Sequence, residues 1–214
     1  MTWTLFIGNK NYSSWSLRAW LVLKLTGVNF IENLIFLRQE QSKTQISKIS
    51  GSKKVPALKV SDQLTVYDSL AISEFLAEQF PQTNLWPKET NERAIARSIC
   101  AEIHSGFPNL RKECPMDIKN FFRSFNISQD AKLDCDRVFE IWRLCLQTRQ
   151  EGFLFGEFGI TDCFFAPIIT RFKTYDISIP DDLNSYAERV LAHKFMQEWR
   201  DAALKETQQI NYFL

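Results

Sequence analysis

The sequence predicts an α/β domain followed by an all-helical one, on three observations. In the first eighty residues, short apolar or β-rich runs alternate with amphipathic segments. From Lys88 onward, apolar residues recur at helical spacing instead. Between the two regimes lie Pro81 and a stretch of turn formers, Gln82 to Pro87. The expected division is a domain over residues 1–80, a linker over 81–88 anchored by Leu85 and Trp86, and a helical domain over 89–214.

The elements of the first part follow in order. Trp3 to Ile7 is a short apolar run that reads as a strand. Asn11-Tyr12-Ser13-Ser14 then places hydroxyls where a helix presents unpaired backbone N–H groups. From Ser14 to Thr26, Leu17, Trp20, Leu21 and Leu25 share one helical face, and Gly27 stands where a helix C-terminus favours glycine. Phe30 to Leu37 is β-rich, and Arg38 to Ser50 is a polar connection compatible with a helix. Val55-Pro56-Ala57-Leu58-Lys59-Val60 and Leu64-Thr65-Val66-Tyr67 flank the turn Ser61-Asp62-Gln63, which predicts a hairpin. Asp68-Ser69 opens a helix carrying Ile72, Phe75, Leu76 and Phe80, stopped by Pro81. A β-α-β unit followed by β-β-α is a thioredoxin-like layout, in which a parallel pair meets an antiparallel hairpin in one small sheet.

In the second part, Ile95, Ile99, Ile103 and Phe107 repeat every four residues and predict a helix. Ser128 precedes a long helix with Val138, Ile141, Trp142 and Cys145 on one face, and Met196, Trp199 and Ala203 mark another. These stripes are core. No internal repeat or low-complexity tract interrupts them.

A chain of 214 residues with 45% hydrophobic content buries a substantial core. Its net charge of +1 argues against a nucleic-acid surface. To Phe80 there are nine Lys and Arg against six Asp and Glu, a mild excess that suits a small anionic ligand. The five cysteines, Cys100, Cys114, Cys135, Cys145 and Cys163, form no C-x-x-C pair and no metal pattern, and read as reduced, buried thiols. His104 and His193 are too few and too far apart to suggest a metal site. The Met1-Thr2-Trp3 start lacks a basic n-region, and no apolar run approaches the ~20 residues of a membrane span, so a cytoplasmic protein is expected.

The helix start at Ser13-Ser14 carries the chemistry. Backbone N–H donors and the positive end of the helix dipole converge there, so the place suits an anion. A thiol bound at such a site is drawn toward thiolate, from a model value near ~8.5 into a range of roughly 3.5 to 7.5.

Strand, Ser13-Ser14-x-Ser16-x-Arg18, then Val55-Pro56, then Asp68-Ser69 at a helix start, then a helical domain: over its whole length the chain resembles the cytosolic glutathione transferases. The S-S-x-S-x-R pattern is most similar to the zeta class, with Trp15 where that class has cysteine. The resemblance implies a glutathione transferase fold and a serine-type enzyme using glutathione as co-substrate. It makes Ser13 the hydroxyl on the glutathione sulfur, with Ser14 beside it, and the sequence alone does not fix which one points inward. It implies that the Val55-Pro56 backbone, with a cis proline, pairs with the cysteinyl part of glutathione as an added strand. The Ser69 hydroxyl and its helix N-terminus would receive the γ-glutamyl carboxylate, Asp68 would meet the ammonium group, and Gln41 and Lys54 would lie near the glycyl end. Phe153 to Asp162 resembles the family's buried capping-box segment, with Gly159 at the capping position and Asp162 returning the bond.

The second substrate's pocket is then expected between the domains. Its candidates are Tyr12 and Trp15 from one side, and His104, Phe107, Arg111 and Arg171 from the other. The implied reaction is attack of a glutathione thiolate on a small electrophile, in a homodimer, without metal, nucleic acid or membrane. Two alternatives stand beside it. One is a zeta-like, glutathione-dependent cis-trans isomerase of a dicarboxylic substrate; the other is a non-catalytic interaction module on the same fold.

Overall fold

The computed structural model describes residues 2–147 and 151–212. Its first part is built from β1 (Trp3–Gly8), α1 (Ser14–Leu25), β2 (Phe30–Ile35), α2 (Ser42–Ile49), β3 (Ala57–Lys59), β4 (Thr65–Tyr67) and α3 (Ser69–Gln79). The four strands form one sheet in the order β2-β1-β3-β4. β1 and β2 run parallel, from Trp3 opposite Phe30 to Gly8 opposite Ile35. β3 runs antiparallel to β1 and to β4, so the expected hairpin closes the sheet. The polar connection holds α2, and Gly27 adopts φ +73° just past α1, a conformation that costs glycine little.

α1 is the pivot of the molecule. Its sequence shows one apolar stripe, yet Ala19, Val22 and Leu23 are as fully buried as Leu17 and Leu21. The reason lies in its neighbours: α3 covers one side of α1, while α7 (Ile160–Thr174) and α9 (Lys194–Lys205) cover others. A helix enclosed in this way needs apolar residues nearly all round.

After the short turn Pro81–Thr83, Leu85 and Trp86 are buried, and the remaining helices follow: α4 (Thr90–Ser105), α5 (Pro108–Glu113), α6 (Gln129–Leu146), then α7, α8 (Asp181–Ala192) and α9. The four-residue stripe of α4 holds only in part. Ile99 and Ile103 are buried, but Ile95 is 46% exposed, and Phe107 lies beyond the helix at φ +62°. Residues four apart advance by more than one turn of 3.6, so such a row drifts off the core face. Ala96 and Cys100 fill the places it leaves.

α7 is the core of this part, buried at every position from Ile160 to Phe172. Its start is fixed by Asp162, whose carboxylate accepts from the N–H of Gly159 (2.9 Å) and Leu154 (3.1 Å) and from the Tyr186 hydroxyl (3.0 Å). Glycine at position 159 supplies no cap oxygen, and a Cβ there would lie 2.9 Å from the Leu85 carbonyl oxygen. That carbonyl accepts the Ile160 N–H at 3.0 Å, which ties the linker to α7. All five cysteines are free and buried. Among the described residues, no helix is long and apolar enough to cross a membrane.

Candidate functional site

A cavity of about 340 Å³ opens between the sheet and the helical part, lined by Trp15, Ser52, Lys54, Val55, Pro56, Tyr67, Asp68, Ser69 and His104. It gathers residues from four separate stretches of chain. The Val55-Pro56 peptide is cis, as the resemblance implies, and leads directly into β3. Asp68 caps α3: its Oδ1 accepts from the N–H of Leu70 (2.8 Å) and Ala71 (3.4 Å). Asp68 adopts φ +77°, a left-handed conformation rare for a residue with a side chain. Its other oxygen, Oδ2, lies 3.3 Å from His104 Nε2.

Ser69 is the most informative member. Its hydroxyl is buried, lines the cavity and has no hydrogen-bond partner among the described residues. A polar group in that state is costly unless a ligand pairs with it. It sits at the first turn of α3, where the helix dipole favours a negative group.

α1 meets this cavity through Trp15, while Ser13 and Ser14 lie beside it and not on its wall. Ser13 is the N-cap: its Oγ accepts weakly from the Ser16 N–H at 3.4 Å and donates to Ser16 Oγ at 2.8 Å. Ser16 Oγ also accepts the Gly8 N–H at 3.0 Å, which joins the end of β1 to the helix. Ser14 Oγ faces the other way in chemistry, accepting from Arg171 Nη2 at 3.4 Å. Both serines are buried.

Around Ser14 and Trp15 three arginines converge. Arg18 is fully buried, with Nε and Nη1 unpartnered among the described residues and its guanidinium 4.7 Å from the Trp15 ring centre. Arg111 lies 5.1 Å from the same ring and donates to the carbonyls of Gly106 and Ile103. Arg171 donates to the carbonyls of Cys114 (2.8 Å) and Pro167 (2.9 Å). None of the three forms an ion pair among the described residues. Burial, and then repulsion from Arg111, pulls Arg171 down to about 9; burial lowers Arg18 and Arg111 as well. Burial likewise lowers His104, against the opposing pull of Asp68, so the imidazole favours its neutral form. Its Nδ1 is buried without a partner among the described residues.

Three expected residues fall elsewhere. Gln41 is exposed before α2 and lines a separate cavity with Phe36, Gln45 and Gln208. Tyr12 turns from the site: its hydroxyl accepts the Ile210 N–H at 3.1 Å, and its ring meets Tyr212. Phe107 is buried core at the start of α5 and does not line the cavity.

The tail that draws Tyr12 away is itself part of the site's support. Glu206 accepts the N–H of Lys10 (2.6 Å) and of Asn11 (3.0 Å), one on each carboxylate oxygen. The Asn11 side chain is held in turn by Asp117 and by the Lys119 N–H, both at 2.9 Å. The loop leading to Ser13 is thus clamped from the helical part. No local pattern in the sequence marks Glu206, because its partners lie almost the whole chain away.

Residues 12–79 match the family model for the glutathione S-transferase N-terminal domain. The chain is 36% identical over 98 residues to a probable maleylacetoacetate isomerase of Caenorhabditis elegans, covering 46% of this chain and 45% of that one. It is 37% identical over 99 residues to the maleylacetoacetate isomerase of Mus musculus, with the same coverage. These alignments span less than half the length of the curated relatives. A glutathione transferase homolog from Burkholderia gl BGR1, solved with bound glutathione, superposes with a TM-score of 0.73 at 26% identity, covering 95% of this chain and 98% of that one. A glutathione S-transferase from the Antarctic clam Laternula elliptica shares the fold, with a TM-score of 0.71 at 22% identity over 93% of this chain and 92% of its own.

Proposed function

We propose that this chain is a cytosolic glutathione S-transferase that binds glutathione in the Ser69 cavity and activates its thiol for attack on a small electrophile. The observation that carries the reading is the buried, unpartnered Ser69 hydroxyl at the start of α3, beside Asp68 and the Val55-Pro56 backbone. In this reading Ser69 and the α3 N-terminus take the γ-glutamyl carboxylate, and Asp68 takes the ammonium group. The Val55 backbone pairs with the cysteinyl unit, and Lys54 lies toward the glycyl carboxylate. Gln41 has no part in it, since it lines another cavity.

The sulfur then reaches the α1 start. The Ser13 hydroxyl exchanges its neutral acceptor, Ser16 Oγ, for the charged sulfur, and hydrogen bonds to charged acceptors are the stronger kind. Ser16 Oγ keeps its bond from Gly8 N–H. The thiol proton leaves to solvent, the thiolate attacks the electrophile, and the new bond to sulfur forms as the electrophile's leaving group departs or its double bond takes up the electron pair. His104, favoured neutral, donates from Nε2 to Asp68 and so positions the carboxylate on the ammonium group.

The dicarboxylate isomerase reading draws on a specific observation of its own. Arg18 and Arg171 are buried and Arg111 is half-buried beside Ser14 and Trp15, without a carboxylate partner among the described residues, which suits an anionic second substrate. The relatives named maleylacetoacetate isomerase favour the same reading. The working unit is a glutathione-binding domain over 1–80, a linker over 81–88 and a helical domain over 89–214, acting as a cytoplasmic homodimer.

Calorimetric titration with glutathione tests the first step. We expect binding that Ser69→Ala weakens; a chain that binds no glutathione belongs instead to the interaction-module class.

A further inference from the structure

Trp15 stands between the cavity and two of the arginines. It is half-buried and lines the cavity from the first turn of α1. The guanidiniums of Arg18 and Arg111 lie 4.7 Å and 5.1 Å from the centre of its ring, and the His104 ring meets it edge to face at 5.0 Å. None of Arg18, Arg111 and Arg171 lines the cavity, and Arg18 is fully buried.

The three guanidiniums are held by carbonyls and rings. Arg111 donates to the carbonyls of Gly106 and Ile103, and Arg171 to those of Cys114 and Pro167. Arg18 Nη2 reaches the Ile103 carbonyl at 3.5 Å, and its guanidinium packs against Phe164, at 4.9 Å, as well as against Trp15. An aromatic face attracts a cation most strongly away from water, so the two rings offset part of the cost of burying Arg18. A carboxylate entering the cavity meets the indole instead. It would shed water there and gain no hydrogen bond, because the guanidinium it needs is not on the wall. An uncharged planar molecule sheds little and stacks on the same ring.

We propose that Trp15 sets the specificity for the second substrate, closing Arg18 and Arg111 to carboxylates and admitting uncharged planar electrophiles. This role rests on the reading of the cavity as a glutathione site, and it separates the two second substrates named above. With the indole in place the arginine charge serves packing; a small residue at position 15 opens it to a dicarboxylate.

Calorimetric titration of the free chain with succinate tests the shield whether or not glutathione binds, and titration of the same samples with glutathione tests the underlying function. The unaltered chain should bind succinate more weakly than about 1 mM. Trp15→Ala should bind it at least about tenfold more tightly, equivalent to about 1.4 kcal/mol, and adding Arg18→Met should remove the gain. Trp15→Phe, which keeps a ring, should behave as the unaltered chain. A readout that needs no variant is the rate of glutathione addition to dimethyl fumarate and to fumarate, each relative to its rate without enzyme; the ester should be accelerated at least about tenfold more. Succinate binding to the unaltered chain tighter than about 1 mM, equal acceleration of fumarate and its ester, no gain in a folded Trp15→Ala, or a gain that survives Arg18→Met overturns the proposal. Absence of glutathione binding with the succinate pattern intact overturns the function and leaves the shield standing.

Discussion

Asp162 shows how much one residue can carry away from the chemistry. Its carboxylate is buried and satisfies three donors, Leu154 N–H, Gly159 N–H and the Tyr186 hydroxyl. Asp162→Ala strands all three, and at about 1 to 3 kcal/mol for each buried unsatisfied group the expected loss is at least about 3 kcal/mol. Burial also pushes this carboxyl up to about 6 from its ordinary 3.8. Between those values the folded chain keeps a proton that the unfolded chain has released. The stabilisation from this group is therefore present below about pH 4 and is lost as pH rises through about 6. Denaturant unfolding should show a larger deficit for Asp162→Ala at acid pH than at neutral pH; the reverse order contradicts the assignment. At the ligand site, Asp68→Asn keeps an oxygen for the α3 cap but removes the charge. Glutathione affinity should fall by about 1.5 to 3 kcal/mol while the unfolding midpoint holds, and unchanged affinity would remove Asp68 from the site.

Elements were legible where a cap or a turn announces them. Ser13, Asp68 and Ser128 each accept a helix N–H in the structure, and the Ser61-Asp62-Gln63 turn joins two paired strands. Ile95 and Phe107 were harder, because an exact four-residue repeat outruns the helix. Tyr12 and Gln41 were placed by resemblance at the site, yet the C-terminal tail engages both neighbourhoods, and no local pattern reports a partner near residue 210. That tail gives the element-scale prediction. Glu206→Gln replaces one acceptor with a donor that faces the N–H of Lys10 or Asn11, so the loop entering α1 should loosen. Amide exchange at Lys10 and Asn11 should accelerate and turnover should fall, with glutathione affinity less affected. Unaltered exchange at both amides would leave the tail without a positioning role.

At the scale of the molecule, the change from alternating elements to helical periodicity was visible in the chain, and so was the thioredoxin-like order of the first part. The convergence of Arg18, Arg111 and Arg171 was not. They come from three distant segments, and only the packing of α1 on α7 brings Arg171 to Ser14. Exposed Phe36 and Tyr67 on one part, and Ile95, Leu133 and Leu144 on the other, leave apolar surface on both sides of the linker. The proposed homodimer would cover part of it by pairing the small domain of one subunit with the helical domain of the other. Sedimentation should give twice the chain mass of 25.0 kDa; a single-chain mass at micromolar concentration contradicts it.

The central claim is that the α1 start turns bound glutathione into a thiolate through Ser13. Titrating the ultraviolet absorbance of the thiolate in the enzyme-glutathione complex tests it most directly. The unaltered chain should lower the thiol below the model thiol value of about 8.5, and Ser13→Ala should raise it again by about one to two pH units, as loss of a charged hydrogen bond of about 1.5 to 3 kcal/mol requires. Ser14→Ala should leave the titration in place. A bound thiol that titrates near about 8.5 in the unaltered chain, or one that shifts in Ser14→Ala and not in Ser13→Ala, would contradict the account.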